Sequence, residues 1–380
     1  MNLQEYQSKA ILRKAGIPVP ASMLATNAVQ IKRIATEIGY PIVLKAQTPE
    51  PGRGKAGGVR IIHSDHEIEN ISNEIFKIVL NGRSIQSILV EKAFSFVKEY
   101  YLALLSDFDK GTPILRISEA GGATCLEPDS FSNAKTYECP IDINFGLKEY
   151  EVRNLVTKLD GEASLWKQFQ RISLKLFDIY RQLDASMVEI NSLVVTHQNQ
   201  LYALDTKMNI DDQSLFRHEE FAETCQPSDQ NFAKKQARKF NINYFDFPGN
   251  LGFVVNGMGL AYLTLDKLTQ ENLIPGPIID IQEGPSSGSI ATMAELLFSD
   301  PKIYAVVVDV FGGMTRCDEL AEGLLLAEGK NLQHKPVFIR LKGTNAEKGK
   351  KMLQSRDYFS FYETTENLMN AAIKYLGELG

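Results

Sequence analysis

The sequence predicts a mixed fold, α/β and α+β, in which an N-terminal region of helices and paired strands precedes a doubly wound parallel sheet. From about Ile242, continuous Val- and Ile-rich runs alternate with helical stretches, which is typical of a parallel sheet covered on both faces. Residues 187–207 instead alternate around a polar turn, which is typical of an antiparallel hairpin. A chain of 380 residues has room for two or three domains.

The composition argues against several classes of protein. With 41 Lys and Arg against 47 Asp and Glu, the chain is mildly acidic, so we expect no nucleic-acid partner. No apolar run approaches the ~18 residues of a membrane span, and the opening residues do not resemble a secretory leader. The four cysteines show neither CxxC nor zinc-ligand spacing, so we expect a reduced, cytoplasmic compartment and no membrane association.

The N-terminal elements follow from periodicity. The opening residues predict an amphipathic helix whose apolar face carries Leu3, Tyr6, Ala10, Ile11 and Leu12 and which ends near Gly16. Further helices are predicted at 27–39 and 66–81. Strands are predicted at 40–47, 59–64, 84–94 and 98–107, and the charged segment 216–240 is the predicted domain boundary.

The loop "PGRGKAGGV" (51–59) packs four glycines and two cations, Arg53 and Lys55, directly after the predicted strand at 40–47. Glycine allows close approach of a ligand to backbone N–H groups, which together with Arg and Lys suit phosphate oxygens. The loop is not of the GxxxxGK[ST] type, because Lys55 is followed by Ala56. From its composition, it is either a phosphate cover or a flexible hairpin tip.

The predicted hairpin at 187–207 groups polar residues on one face. With His197–Asn199 as the turn, Asn191 lies opposite Asp205 and Glu189 lies opposite Lys207. Carboxylate and amide oxygens suit Mg²⁺, but the same pattern is also typical of cross-strand charge pairs facing solvent.

Three charged residues lie in strand contexts elsewhere in the N-terminal region. Lys45 ends an apolar strand and either reaches a phosphate or extends to solvent from a sheet edge. Glu91 and Glu99 either contact a nucleotide or face water. The histidines have no catalytic or metal spacing, so we expect them on the solvated surface.

The C-terminal region predicts five parallel strands with Gly-rich segments at their carboxyl ends, where ligands bind in doubly wound sheets. The strand segments are "NLGFVVNG", "GPIIDIQ", "IYAVVVDVFGG", "KPVFIRLKG" and "YFSFYE". The predicted helices are 259–271, 289–299, 316–329, 345–354 and 364–378.

The order of these motifs resembles the succinyl-CoA synthetase β-subunit family nearly end to end. The similarity is carried by "MNLQEYQSKAILRKAGIPVP", "GRGKAGG" after the strand lysine, "ILVEKA", "EINSLVVT", "GNLGFVVNGMGLA" and "FGGMTRCD". The resemblance implies an ATP-grasp domain at 1–235, with an inserted subdomain at about 20–95. It also implies a flavodoxin-like CoA-ligase domain at 240–380.

The resemblance also assigns site residues. The implied ATP contacts are Lys45, Gly52, Arg53, Gly54, Glu91, Phe94 and Glu99, although a threonine is familiar at the position of Phe94. Asn191 and Asp205 match the Mg²⁺ ligands, and Glu189 matches a catalytic glutamate facing the partner subunit. The implied substrate contacts are Asn256, Gly313, Met314 and Thr315.

The function implied is that of the β subunit of an ATP-dependent succinate–CoA ligase. In such enzymes a partner α subunit carries a phosphohistidine and binds most of the CoA, in a heterodimer or heterotetramer. The partner's histidine also accounts for the missing nucleophile in this chain. Whether ADP or GDP is formed is left open by the sequence.

Three segments depart from the family pattern: 281–289, the residues after the glycine pair 121–122, and Met314-Thr315. A hydroxyl at Thr315 would suit a polar substituent, so malate or another substituted dicarboxylate is an alternative acid. A nucleotide-binding scaffold subunit without acyl chemistry is an alternative of another class. A stand-alone ATP-grasp ligase fits less well, because the C-terminal domain is of CoA-ligase type.

Overall fold

The computed structural model describes the chain except residues 49–51, 81, 120, 122–134, 160–162, 225–231, 241, 283, 329–334 and 380. The chain divides into two compact units, Met1–Gln226 and Pro227–Gly380. Among the described residues, no helix combines the length and apolar character needed to cross a membrane.

The N-terminal unit is built from helices and mainly antiparallel strands. Its helices are α1 (Glu5–Lys14), α2 (Ala28–Ile38), α3 (Asp65–Phe76), α4 (Glu149–Val156), α5 (Ala163–Gln182) and α6 (Glu219–Thr224). Its strands are β1 (Ser22–Ala25), β2 (Ile42–Ala46), β3 (Val59–Ile62), β4 (Val79–Leu80), β5 (Arg83–Ser84), β6 (Ile88–Lys92), β7 (Phe96–Asp107), β8 (Thr112–Ser118), β9 (Thr136–Pro140), β10 (Ala185–Thr196), β11 (Leu201–Ala203) and β12 (Thr206–Ile210).

A small antiparallel sheet has the order β1-β6-β2-β3, with α2 and α3 sharing its core. The side chain of Asn27 caps α2 by accepting from Gln30 N, and Gly39 follows its last residue with φ 79°. The strand β2 lies inside this sheet, so the lysine that ends it is not on a sheet edge. The strand β4 of the short β4-β5 hairpin lies within the end of a predicted helix, and α3 ends at Phe76 instead.

A larger antiparallel sheet has the order β11-β10-β7-β8-β9, and β12 also pairs with β10. The hairpin register is the predicted one: Glu189 pairs with Lys207, and Leu193 pairs with Ala203. Between these pairs, Asn191 N donates to Asp205 O at 2.9 Å. The predicted face therefore exists, because one face of this sheet is buried under α5 and the outward residues keep their alternation up to Asn191.

The first helix is present, and its predicted apolar face is only partly correct. Leu12 is buried, whereas Ala10 is exposed. The buried side of α1 also contains Glu5, Ser8 and Lys9. The reason is that this side of the helix faces charged partners on β2, β6 and the glycine loop as well as the apolar core.

The C-terminal unit is a doubly wound sheet. Its helices are α7 (Phe232–Lys239), α8 (Met258–Gln270), α9 (Ser287–Ser299), α10 (Cys317–Glu328), α11 (Ala346–Leu353) and α12 (Thr365–Leu379). Its strands are β13 (Asn243–Phe245), β14 (Leu251–Val255), β15 (Ile278–Asp280), β16 (Ala305–Gly312), β17 (Val337–Gly343) and β18 (Phe359–Phe361).

The sheet order is β13-β15-β14-β16-β17-β18, with β14 to β18 parallel. The five predicted strands are confirmed in the flavodoxin-like order, and β13 adds an unpredicted antiparallel edge. Successive residues of β14 face opposite cores, Val254 towards α9 and α10 and Phe253 towards α8 and α12. The crevice where strand order reverses therefore lies at the carboxyl ends of β14 and β16.

Candidate functional site

Lys45 lies at the centre of a buried charge cluster in the N-terminal unit. Its Nζ is 2.9 Å from Glu5 Oε1, 3.0 Å from Glu91 Oε1 and 2.7 Å from the carbonyl oxygen of Leu204. Burial alone would lower the pKa of Lys45, but the carboxylates of Glu5, Glu91 and Asp205 raise it above its usual value. Lys45 is therefore charged, and the surface position considered for it is wrong.

Glu91 is buried, so the interpretation that it faces water is also wrong. Its carboxylate is held by Lys45 on the neighbouring strand β2 and by Lys9 from α1. Only 3% of its side chain is exposed. The Glu91 carboxylate thus fixes the position of Lys45 and does not face solvent.

Glu5 and Lys9 were not found by sequence reasoning, although both lie in this cluster. They form an i,i+4 pair on α1 with Lys9 Nζ 2.7 Å from Glu5 Oε1. Burial by itself would raise the pKa of Glu5, but Lys45, Lys9 and Arg53 hold it well below its usual value. A pattern search that counts only apolar residues on a helix face misses such a pair; the available signal was the i,i+4 spacing of opposite charges.

The glycine loop folds back over this cluster. Arg53 donates to the Ala46 carbonyl at 3.2 Å, and its Nη2 atom pairs with Glu5 and lies 3.1 Å from Asp205 Oδ1. The turn is closed by Gly58 N donating to Arg53 O at 2.8 Å, where an added Cβ would lie 2.9 Å from that oxygen. The loop therefore requires glycine at Gly58, and Arg53 links α1 to the distant hairpin.

Gly52 and Gly54 lie on the open side of the loop. A Cβ added at either would meet no atom within 4 Å, and Gly52 has φ 90°. Lys55 is exposed beside them. The backbone here is accessible to a ligand, as a phosphate cover requires.

Asn191 and Asp205 are brought together by the hairpin. Their backbones are bonded directly, and the Asp205 side chain is 37% exposed. Among the described residues no group of three or more His, Cys, Asp or Glu side chains has the spacing of a metal site. One carboxylate and one amide nevertheless fit Mg²⁺, which takes few protein oxygens and completes its shell with waters and substrate phosphates.

Glu189 lies on the same face of β10, with 12% of its side chain exposed. Tyr101 Oη donates to Glu189 Oε2 at 3.1 Å, and Lys207 Nζ lies 3.2 Å from Oε1. The two donors hold the carboxylate in one orientation beside the Asn191–Asp205 pair.

Phe94 lies between β6 and β7, and Glu99 lies near the start of β7. Glu99 Oε2 accepts from Ser192 Oγ at 2.7 Å, so its carboxylate is tied to β10, next to Asn191. The Phe94 ring packs on Tyr202 of β11, with centroids 4.8 Å apart. The aromatic side chain is thus occupied by packing within this chain, so a ligand contact at Phe94 would be made by its backbone.

In the C-terminal unit, Asn256 is bonded across the switch point. Its Nδ2 donates to Phe311 O and its Oδ1 accepts from Phe311 N, both at 2.8 Å. The next residue, Gly257, has φ 103° and donates its N–H to Asp280 Oδ1 at 2.7 Å. These bonds fix the loops after β14 and β15 relative to the end of β16.

The segment after β16 contains Thr315, whose hydroxyl was expected to face a polar substituent of the acid. Thr315 is 2% exposed and its Oγ1 donates to Gln282 O at 2.9 Å, so the hydroxyl is directed to the backbone just after β15 and not towards a ligand. Met314 is 70% exposed and Gly313 has open space around its Cα. The geometric reason for preferring a substituted acid is therefore wrong.

Asp318 holds the same segment from the first turn of α10. Its carboxylate accepts from Arg316, Asn345 and Lys348 at 2.8 to 3.2 Å. Hydrogen bonds from Arg316 and Lys348 hold its pKa well below the usual range.

The remaining expectations concern the histidines, the cysteines and the segments that depart from the family pattern. His218 is buried against Asp184, with 2.9 Å between Nε2 and Oδ2, so the expectation that the histidines are solvated is wrong for it. The departures at 123–128 and Glu283, together with Cys125, Cys225 and His334, lie outside the described residues. Cys139 and Cys317 are free thiols.

Comparison with protein families gives a match for each unit. Residues 2–195 match the ATP-grasp domain family, and residues 254–360 match the CoA-ligase family. The predicted fold class is confirmed by these matches.

Full-length relatives agree with the family matches. The chain is 39% identical over 361 residues to the ADP-forming succinate–CoA ligase subunit beta of Aquifex aeolicus, covering 93% of each chain. It is 36% identical over 385 residues to the protein of the same name from Halorubrum lacusprofundi, covering 100% of each. Among solved structures, ATP citrate lyase from Methanothrix soehngenii, in complex with citrate and coenzyme A, has a TM-score of 0.66 at 16% identity. It covers 95% of this chain and 96% of that one, which is a likeness of fold.

Proposed function

The chain belongs to the family of ADP-forming succinate–CoA ligase β subunits, and on that premise we propose that it is the nucleotide-binding subunit of an acid–CoA ligase. The proposed reaction converts succinate, CoA and ATP to succinyl-CoA, ADP and phosphate. A partner α subunit supplies the phosphohistidine and binds most of the CoA, in a heterodimer or heterotetramer of the cytoplasm. The observation that carries the proposal is the convergence of Lys45, Arg53, Asn191 and Asp205 on one site.

In this site the chain's residues bind and orient the nucleotide. Lys45 and Arg53 supply positive charge for phosphate oxygens, and the open backbone of Gly52 and Gly54 supplies N–H donors. Glu91, Glu99 and the backbone of Phe94 complete the proposed ATP contacts at the β6–β7 junction. Phosphoryl transfer needs positioning and charge neutralisation more than covalent participation by the protein, which suits this set of residues.

Asn191 and Asp205 would hold Mg²⁺. When bound there, the ion would neutralise charge on the phosphates of the nucleotide. Arg53 lies on both Asp205 oxygens, at 3.1 and 3.2 Å, so this guanidinium must leave the carboxylate before a cation is bound. Glu189, held by Tyr101 and Lys207, would orient the partner's histidine for transfer.

The acyl site is assigned to the C-terminal unit, at Asn256 and the segment Gly313–Thr315. The helix α10 begins two residues after Thr315, and its N-terminal N–H groups favour anions. Because the Thr315 hydroxyl donates to Gln282, this hydroxyl does not select a hydroxylated acid, and we propose succinate.

The test is phosphorylation and turnover by the chain co-purified with an α-type partner. With γ-labelled ATP and Mg²⁺, we expect label on the partner's histidine and faster thioester formation from succinate than from malate or itaconate. Asp205→Asn keeps an oxygen for Arg53 but removes the charge that holds Mg²⁺, so it should raise the Mg²⁺ concentration needed for labelling at least tenfold. Asp178→Ala, an exposed acid on α5, is the matched control and should leave labelling unchanged.

The outcomes separate the alternatives. Labelled histidine without thioester formation from any acid would identify a subunit that has lost acyl chemistry. An unlabelled histidine with bound nucleotide would identify a scaffold, and a clear preference for malate would overturn the proposed acid.

A further inference from the structure

Three charged side chains of the N-terminal unit are almost completely buried. The side chain of Lys9 is 1% exposed, that of Glu5 is 2% exposed and that of Glu91 is 3% exposed. The side chains towards solvent are more open, at 9% for Lys45 and 16% for Arg53. The cluster therefore has an inner layer of Glu5, Lys9 and Glu91 beneath an outer layer that a phosphate can contact.

The two layers are electrically linked. Lys9 pairs with Glu5 and Glu91, and each of these carboxylates also pairs with Lys45. Glu5 in addition pairs with Arg53. Every negative charge that Lys9 neutralises is thus one that would otherwise act on the cations of the outer layer.

The charges of the whole cluster balance. Lys9, Lys45 and Arg53 carry three positive charges, and Glu5, Glu91 and Asp205 carry three negative charges. Without Lys9 the cluster would be net negative, which disfavours an incoming phosphate in a site partly withdrawn from water. The pKa of Lys9 is lowered, by burial first and then by the charge of Lys45, so its charge depends on both carboxylates staying in place.

We propose that Glu5 and Lys9 are positioning residues that set the charge of the nucleotide site from below. Lys9 partly neutralises the carboxylates that hold Lys45 and Arg53, so both cations can still attract a phosphate. Glu5 keeps these cations at one place. This inference rests on the proposed nucleotide site, and it assigns a role to the first helix, which contributes none of the proposed ligand contacts.

The test compares nucleotide affinity in variants that change the charge and in one that restores it. Calorimetric titration of the full chain with Mg-ADP and Mg-ATP at pH 8 gives Kd, and the melting temperature is recorded alongside. Lys9→Met keeps most of the buried volume but leaves the cluster net negative, so Kd should rise at least about tenfold. The double variant Glu5→Gln with Lys9→Met removes one charge of each sign, and Kd should return to within about threefold of the wild type.

Lys14→Met changes an exposed lysine on the same helix and should leave Kd unchanged. A Kd for Lys9→Met equal to that of the wild type would overturn the inference. So would a double variant that binds more weakly than Lys9→Met, because that order indicates a role in packing alone.

Two further outcomes are decisive. Removing one partner of a buried ion pair can prevent folding, whereas removing both is often tolerated. If Lys9→Met does not fold, a folded double variant that has lost nucleotide binding overturns the inference. If the wild type itself binds no nucleotide, the proposed function fails and takes the inference with it, whereas failure of the charge pattern alone leaves the proposed function intact.

Discussion

Replacing Asp280 should loosen the backbone that carries the proposed acyl site. Asp280 is 2% exposed at the end of β15, and its Oδ1 accepts from Gly257 N at 2.7 Å and from Gln282 N at 3.1 Å. Its Oδ2 accepts from Asn243 Nδ2 at 3.2 Å. One carboxylate therefore joins the loops after β14 and β15 to the edge strand β13.

The expected magnitude follows from these bonds. A hydrogen bond to a charged acceptor contributes about 1.5–3 kcal/mol, and each 1.4 kcal/mol corresponds to a factor of about ten. Asp280→Ala should therefore speed hydrogen exchange at the Gly257 amide by about 10- to 100-fold. Asp280→Asn keeps an oxygen for the two backbone amides, so its effect on the same amide should stay below about tenfold.

The assay is hydrogen–deuterium exchange of the full chain, resolved to peptides that contain residues 250–260. Asp266→Ala, an exposed acid on α8, is the control and should leave exchange unchanged. If this loop carries the acid, KM for the acid should also rise in Asp280→Ala. An exchange rate at Gly257 within threefold of the wild type in Asp280→Ala would refute the reasoning.

Three further predictions concern stability. Burial and the hydrogen bond to Asp65 raise the pKa of Tyr40 to about 12, so the stabilisation it gives is complete below pH 10 and is lost as the pH rises towards 12. Denaturant midpoints of wild type and Tyr40→Phe should converge over that interval, and a constant gap would contradict the assignment. Gly343→Ala should destabilise the C-terminal unit strongly, because φ is 91° and the new Cβ would lie 2.0 Å from Gly312 O. Gly377→Ala, in open space on α12, should instead raise stability by about 0.5–1 kcal/mol, and thermal unfolding of both variants checks the pair.

Much of the fold was predictable because local periodicity and tertiary position agree. The register of Glu189 with Lys207 follows from a period of two around a short turn, and a slip by one residue would expose the buried face. The doubly wound sheet follows in the same way from Val-rich strands that are buried on both faces. In both cases the pattern depends on neighbours that lie close in sequence.

The rest depends on partners far apart in the chain. Glu5 is buried because Lys45 of β2 and Arg53 of the glycine loop pair with it. Its neighbour Lys9 pairs in addition with Glu91 of β6. No local pattern contains that information. The direction of the Thr315 hydroxyl likewise depends on Gln282, 33 positions away. The short strand β13 has no period of its own and forms because β15 offers it an edge.

The two bonds between Asn256 and Phe311 continue the ladder of β14 and β16 with a rung made from a side chain. A rung of this kind holds the ends of two parallel strands together while the backbone at Gly257 is already turning away. These two bonds keep the ends of β14 and β16 from separating beside the crevice. The Asn256 amide carries a second N–H, so this residue can hold the strand ends together and also donate a hydrogen bond to a ligand in the crevice.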